Sequence, residues 1–120
     1  MRRPVPKNIL SKDNTSGLTT DTGPSYTEEY RRPGGLGGAL VIRGLTGTAP
    51  SITGKVQHSP SPMSVADASA VWLDLLTFTA QTATGAQFQQ VSTPYFPRLR
   101  ATVTRGGTAV TDLDYDMMII

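Results

Sequence analysis

From about residue 37 onward, apolar side chains recur at every second position, the period of a strand with one face buried. Ala39-Leu40-Val41-Ile42-Arg43 is a short β-branched run bounded by glycines, and Ser51-Ile52-Thr53-Gly54-Lys55-Val56-Gln57 alternates polar with apolar or small residues. Both runs predict strands. Trp72 to Thr79 reads as a buried strand in which Trp72 belongs to the core, and Gln87 to Val91 as a weaker strand. Between them, Ser59-Pro60-Ser61-Pro62 marks a loop, Ala66 to Ala70 is the one stretch suited to a helical turn, and Gln81 to Gly85 is a turn. Thr93-Pro94-Tyr95-Phe96-Pro97 is a rigid connection, because its prolines cannot donate to a central ladder.

The alternation is clearest at the end of the chain. Leu99, Ala101 and Val103 share one face and Arg98, Arg100, Thr102 and Thr104 the other; further on, Leu113, Tyr115, Met117 and Ile119 oppose Asp112, Asp114 and Asp116. With Gly106-Gly107 between them, the two runs predict a hairpin. A two-residue loop would set Leu99 against Asp114, core against solvent. A three-residue loop, Gly106-Gly107-Thr108, sets Leu99 opposite Tyr115, Arg100 opposite Asp114 and Arg98 opposite Asp116. Met118 and Ile120 then project on the aspartate side, as sheet-end packing or as a contact patch.

Residues 1–36 read differently. Pro4, Pro6, Pro24 and Pro33 interrupt them, and Ile9, Leu10 and Leu18 stand apart from any sustained period of 2 or 3.6. The expectation is an extended N-terminal arm, followed at the glycine-rich stretch Gly34 to Gly38 by a β domain spanning 37–120. The whole is an all-β chain, a small β-sandwich or jelly-roll-like barrel preceded by the arm.

Charge sharpens the division. Six basic and four acidic residues give the first 36 positions a net +2, while the rest carry five of each. A surplus this small does not hold a chain on a phosphate backbone, and the interleaved Asp13, Asp21, Glu28 and Glu29 weigh against nucleic acid as the partner. The arm instead offers Arg2, Arg3, Lys7, Arg31 and Arg32 as salt-bridging groups, with Ile9, Leu10, Tyr26 and Tyr30 as apolar or aromatic anchors for a neighbouring subunit.

Chemistry-bearing motifs are few. The chain of 120 residues has no cysteine and one histidine. His58 stands beside Ser59 on a strand end, where successive side chains point apart, so it reads as a rim residue rather than a catalytic base. Asp112-x-Asp114-x-Asp116 begins like a calcium loop but has Met117 where the sharp glycine turn belongs. Gly47 to Lys55 spaces its glycines wrongly for a phosphate loop, and Leu40 replaces the third glycine of a dinucleotide loop. Asn14-Thr15-Ser16 matches a glycosylation acceptor by composition alone. No catalytic, cofactor or metal site is assigned, and the expectation is a binding protein rather than an enzyme. No run nears the length of a spanning helix and no apolar signal segment follows the basic start, so a soluble, membrane-free protein is expected.

Four segments resemble small accessory virion proteins of tailed bacteriophages: Val56-Gln57-His58-Ser59, the Trp72 to Phe78 segment, Thr79-Ala80-Gln81-Thr82-Ala83-Thr84-Gly85, and Arg98-Leu99-Arg100-Ala101-Thr102-Val103-Thr104 before a glycine turn. The resemblance covers less than half of the chain, and it departs from the pattern where Ser59-Pro60-Ser61-Pro62 replaces an Asp/Gly turn. It implies a structural virion protein of the capsid decoration, or cement, type, made in the host cytoplasm and located on the capsid surface. Its implied partners are the major capsid protein and neighbouring copies of itself, with a trimer favoured, and its arm would stabilise the assembled head. The alternatives are a tail or head–tail connector component and a carbohydrate-binding β-sandwich in which Trp72, Tyr95 or Phe96 stacks on sugar rings.

Overall fold

Alternation puts one apolar row on each strand, and two such rows exclude water only by facing each other. The computed structural model describes residues 6–28 and 35–120, which form nine strands. In chain order these are β1 (Lys7–Thr15), β2 (Thr20–Thr22), β3 (Tyr26–Thr27), β4 (Leu36–Thr46), β5 (Pro50–Ser59), β6 (Leu73–Thr77), β7 (Gly85–Val91), β8 (Arg98–Gly107) and β9 (Asp112–Ile119). They make two antiparallel sheets, one ordered β1-β9-β4-β7 and the other β2-β8-β5-β6 with β3 also pairing β8. The chain is all-β and sandwich-like, with no helix among the described residues. Leu40, Ile42, Leu113, Tyr115, Met117 and Ile119 from the first sheet meet Ile52, Val56, Leu99, Ala101 and Val103 from the second, all of them buried.

Each of the six strands expected beyond residue 37 is present. The hairpin at the end of the chain is not: β8 and β9 belong to different sheets. Leu99 lies opposite His58 and Tyr26, Arg100 opposite Gln57, Asp114 opposite Gly44, and Asp116 opposite Val41 and Ser11. The inward faces are those that alternation assigns, but alternation specifies a face and leaves the partner strand open. Here β4 pairs with β9 and β5 with β8, so the crossings β4–β5 and β8–β9 pass between sheets side by side. Main-chain bonds tie the two crossings together, from Ala109 N to Thr48 O at 2.9 Å and from Thr111 N to Thr46 O at 3.0 Å. Gly47 (φ 144°) and Gly107 (φ 91°) sit at these bends. A Cβ on Gly47 would stand 2.2 Å from Ala109 O, and one on Gly107 2.1 Å from Ala49 O.

The N-terminal arm is the larger correction. Its described part, 6–28, forms three strands within the sandwich, and the boundary between 36 and 37 falls inside β4. β1 completes one edge of the first sheet against β9, while β2 and β3 line β8 in the second. Ile9 and Leu10 are buried in the chain's own core rather than offered to a neighbour. A register shift between Asn8 and Leu10 lets two consecutive side chains turn inward, a β-bulge that hides the period of 2 from the sequence.

Asp21 on β2 supplies a second anchor. Its carboxylate accepts from Arg105 Nη2 at 2.9 Å and from the Tyr115 hydroxyl at 2.8 Å, between the sheets. Arg105 donates also to Ser16 O and Thr19 Oγ1. Its charge is therefore neutralised and largely hydrogen-bonded inside, as a buried guanidinium must be. Burial first, and the Asp21 carboxylate second, push the Tyr115 hydroxyl far above its ordinary pKa.

Candidate functional site

Among the described residues, four of the seven exposed large apolar side chains, Met63, Val71, Leu73 and Phe96, lie at one end of the sandwich on a hydrogen-bonded base. Here β5 ends, β6 and β8 begin, and residues 60–72 loop between β5 and β6. Such a loop, rich in Ser and Pro, has no ladder of its own to satisfy its carbonyls. Arg98 satisfies them. Its side chain is only 4% exposed; Nη1 donates to Pro62 O at 2.7 Å, and Nη2 to Val65 O at 2.8 Å and to Asp67 Oδ1 at 2.7 Å. Ser25, from the N-terminal segment, donates to the same carboxylate, from its main-chain N to Oδ2 and from its hydroxyl to Oδ1. The Ser25 hydroxyl first, and Arg98 next, hold the Asp67 carboxyl below the usual carboxylate range.

A single turn with helical hydrogen bonding, Ala70 N to Ala66 O at 3.0 Å, continues from this clamp, where the sequence suggests a helical turn. Trp72 follows it. The indole is half-buried on the outside of the second sheet, not in the core, and donates from Nε1 to Asp67 O at 3.0 Å. The Arg100 guanidinium lies 4.1 Å from the ring centroid, and that of Arg98 lies 5.3 Å away. Arg100 Nε donates to Gln57 at 2.8 Å, and Gln57 Nε2 donates in turn to Asp74 at 3.0 Å. Lys55 pairs with the same carboxylate at 2.9 Å. Partial burial lowers the pKa of Arg100.

Beyond this polar row, at the same end of the sandwich, apolar groups stand exposed. Val71 is 58% exposed, Met63 51%, Leu73 45% and Phe96 42%. Leu73 lies opposite His58 across β5 and β6. The rings of His58 and Phe96 are 5.2 Å apart, and Phe96 N donates to His58 Nδ1 at 3.0 Å. His58 therefore holds the connection 92–97 in place, a structural use consistent with its reading as a rim residue. Desolvation lowers its pKa below that of a free imidazole. Arg100, Lys55 and Asp74 lie on the outer face of the second sheet, whereas Leu73, His58 and Phe96 lie on the side of Leu99; exposed apolar groups at the end of a sandwich are the kind of surface that docks another macromolecule.

The interface residues expected from the sequence are distributed otherwise. Lys7 stands 4.0 Å above the Tyr26 ring, a cation–π contact inside the fold, and Tyr26 packs against the core. Ile9 and Leu10, on β1, are buried in the core. Arg2, Arg3, Tyr30, Arg31 and Arg32 fall outside the described residues. The Asp face also finds a different cation: Asp116 pairs with Arg43 at 2.8 Å, not with Arg98, and Asp114 accepts from Asn14 N at 2.7 Å. Among the described residues no three His, Cys, Asp or Glu side chains gather as a metal site would need. The exposure of Val71 and Leu73 was missed because a strand starting at Trp72 reads as core when its outward neighbours are unknown. The pairing of Arg98 with Asp67 across 31 residues carries no sequence signature. Compared with known proteins, this chain matches no family model, no curated protein and no solved structure.

Proposed function

We propose that the chain is a structural binding module of a particle, a capsid decoration protein of the bacteriophage type, that docks through the end of the sandwich bearing Met63, Val71, Leu73 and Phe96. The observation that carries this reading is the base of that surface. Arg98, buried, is bonded to Pro62 O and Val65 O of the loop 60–72, which carries the exposed Met63 and Val71. Apolar anchors carried on a hydrogen-bonded loop lose little conformational entropy on docking, which is what a protein gains from preorganising an interface. The double ribbon of β4–β5 against β8–β9, folded over into two sheets, fits the jelly-roll-like form of the same reading. Attachment in this proposal works through a folded face, since Ile9, Leu10 and Tyr26 are occupied within the fold. A molecule that binds only the assembled lattice stabilises it by mass action.

Quantitative mass spectrometry of purified virions from the phage carrying this sequence tests the proposal. Copy numbers in the hundreds per particle are expected. Six or twelve copies would make it a tail or connector component, and absence from the particle would overturn the virion reading altogether. The carbohydrate alternative gains nothing from Trp72, whose ring is engaged by Arg100.

A further inference from the structure

A guanidinium drawn partly out of water calls for an anion, and among the described residues Arg43, Arg98 and Arg105 each pair with a carboxylate. Arg100 differs. It forms no ion pair with any described residue, although it lies over the Trp72 ring with its carbon 4.1 Å from the centroid. Its Nε donates to Gln57 Oε1 at 2.8 Å. Nη1 and Nη2 donate to no described residue, and neither is buried, so both turn their N–H bonds to the surface.

The groups that hold this head are themselves fixed. Trp72 is tied through Nε1 to Asp67 O, and Gln57 through Nε2 to Asp74. Across β8, β5 and β6 the three residues Arg100, Gln57 and Asp74 stand in one row. With its plane set by the indole and its Nε edge by the amide, the guanidinium has one edge left, the pair of Nη groups, and that edge is the fork that matches the two oxygens of a carboxylate. Little rotamer freedom remains to be lost when it is used. Partial burial opposes the Arg100 charge most; the Asp67 carboxylate relieves part of this, and the Arg98 charge adds to it. An arriving anion relieves the remainder.

We propose that Arg100, stacked on Trp72, is a carboxylate-binding site that receives an aspartate or glutamate side chain of a partner protein. Charge selects the carboxylate. Arg98 is balanced by Asp67 and Lys55 by Asp74, so the cluster has one positive charge to spare, the complement of a single carboxylate. A phosphate dianion would bring twice that charge beside Asp67 and Asp74. The next row of the same face, Thr22, Thr102 and Lys55, adds hydroxyls and an already balanced cation. A partner's side chain, rather than a free acid, follows from the setting. The site lies on the outer face of a sheet, where a lone ion pair holds a free ion only weakly, so the carboxylate belongs to a chain that other contacts bring to this face. The inference does not depend on what the apolar end of the sandwich binds.

Titration of the full chain with the peptide N-acetyl-Ala-Asp-Ala-amide at constant ionic strength tests this. Trp72 is the chain's one tryptophan, so its emission reports on the ring under Arg100, while the Arg100 Nε–H resonance in a ¹⁵N spectrum reports on the guanidinium itself. Both signals should follow one saturating curve. The same peptide with Asn in place of Asp should move neither, and acetate and inorganic phosphate should each bind at least threefold more weakly. Arg100→Lys keeps the charge and loses the fork; it should weaken binding of the acidic peptide at least fivefold with an unchanged circular dichroism spectrum. Lys12→Gln, which removes a cation from the other sheet, should leave the curve where it was. Absence of a response to the acidic peptide, an equal response to the Asn peptide, undiminished binding in Arg100→Lys, or tighter binding of acetate or phosphate would overturn the proposal.

Discussion

Asp21 shows how much a single side chain can fix. It stands three residues before a proline, in a stretch whose apolar residues lack a period, yet it joins Arg105 and Tyr115 between the sheets. Replacing it with Ala leaves a buried guanidinium without its counter-charge, a loss of about 3–5 kcal/mol. Urea denaturation of Asp21→Ala should therefore show a midpoint far below wild type. The same cluster governs alkaline stability. The folded state holds the Tyr115 proton above pH 10, where the unfolded chain releases it, so stability falls as pH rises beyond that point. Tyr115→Phe should flatten the alkaline limb of a pH–stability curve by one proton. His58 gives the opposite limb. Its lowered pKa and its acceptance of the Phe96 N–H both require the neutral ring, so stability falls as pH drops below about 6.5, the free imidazole value. Thermal melts of wild type and His58→Gln between pH 7 and pH 5 should converge as the pH is lowered.

At the scale of elements, the paired crossings and the clamped loop are the vulnerable parts. Gly107→Ala would bring a Cβ to 2.1 Å from Ala49 O at a positive φ, and it should lower the melting temperature by several degrees, the equivalent of more than about 1 kcal/mol. Arg98→Ala removes the guanidinium donor from Pro62 O, Val65 O and Asp67, so the loop 60–72 should show faster amide exchange than in the wild type. The sequence discloses strands by alternation, and β4 through β9 were legible for that reason. It conceals pairing, because Leu99 and Tyr115 carry identical inward signals whether they sit side by side or across a core. It conceals β1 because of the bulge at Ile9 and Leu10, and β2 because its inward residue is an aspartate. Arg98 read as a solvated strand residue for a similar reason: the loop that buries it comes from more than thirty positions earlier.

For the molecule as a whole, the N-terminal strands are structural members. Two buried aliphatic side chains contribute about 1.5–3 kcal/mol each, and the Asp21 cluster adds to them, against a net stability of only about 5–15 kcal/mol for a domain. A chain lacking residues 1–28 should bind a hydrophobic dye and lose its cooperative unfolding transition, rather than persist as a smaller folded body. β1 finds its partner in β9, with Ser11 bonded to Asp116 and Lys7 beside Ile119. During translation the earliest of these strands must therefore wait, unpaired, until the latest has been synthesised. Folding of the first sheet is then completed only after the ribosome has passed Ile119, and a messenger cut short of that codon would yield a product whose opening segment has nowhere to dock.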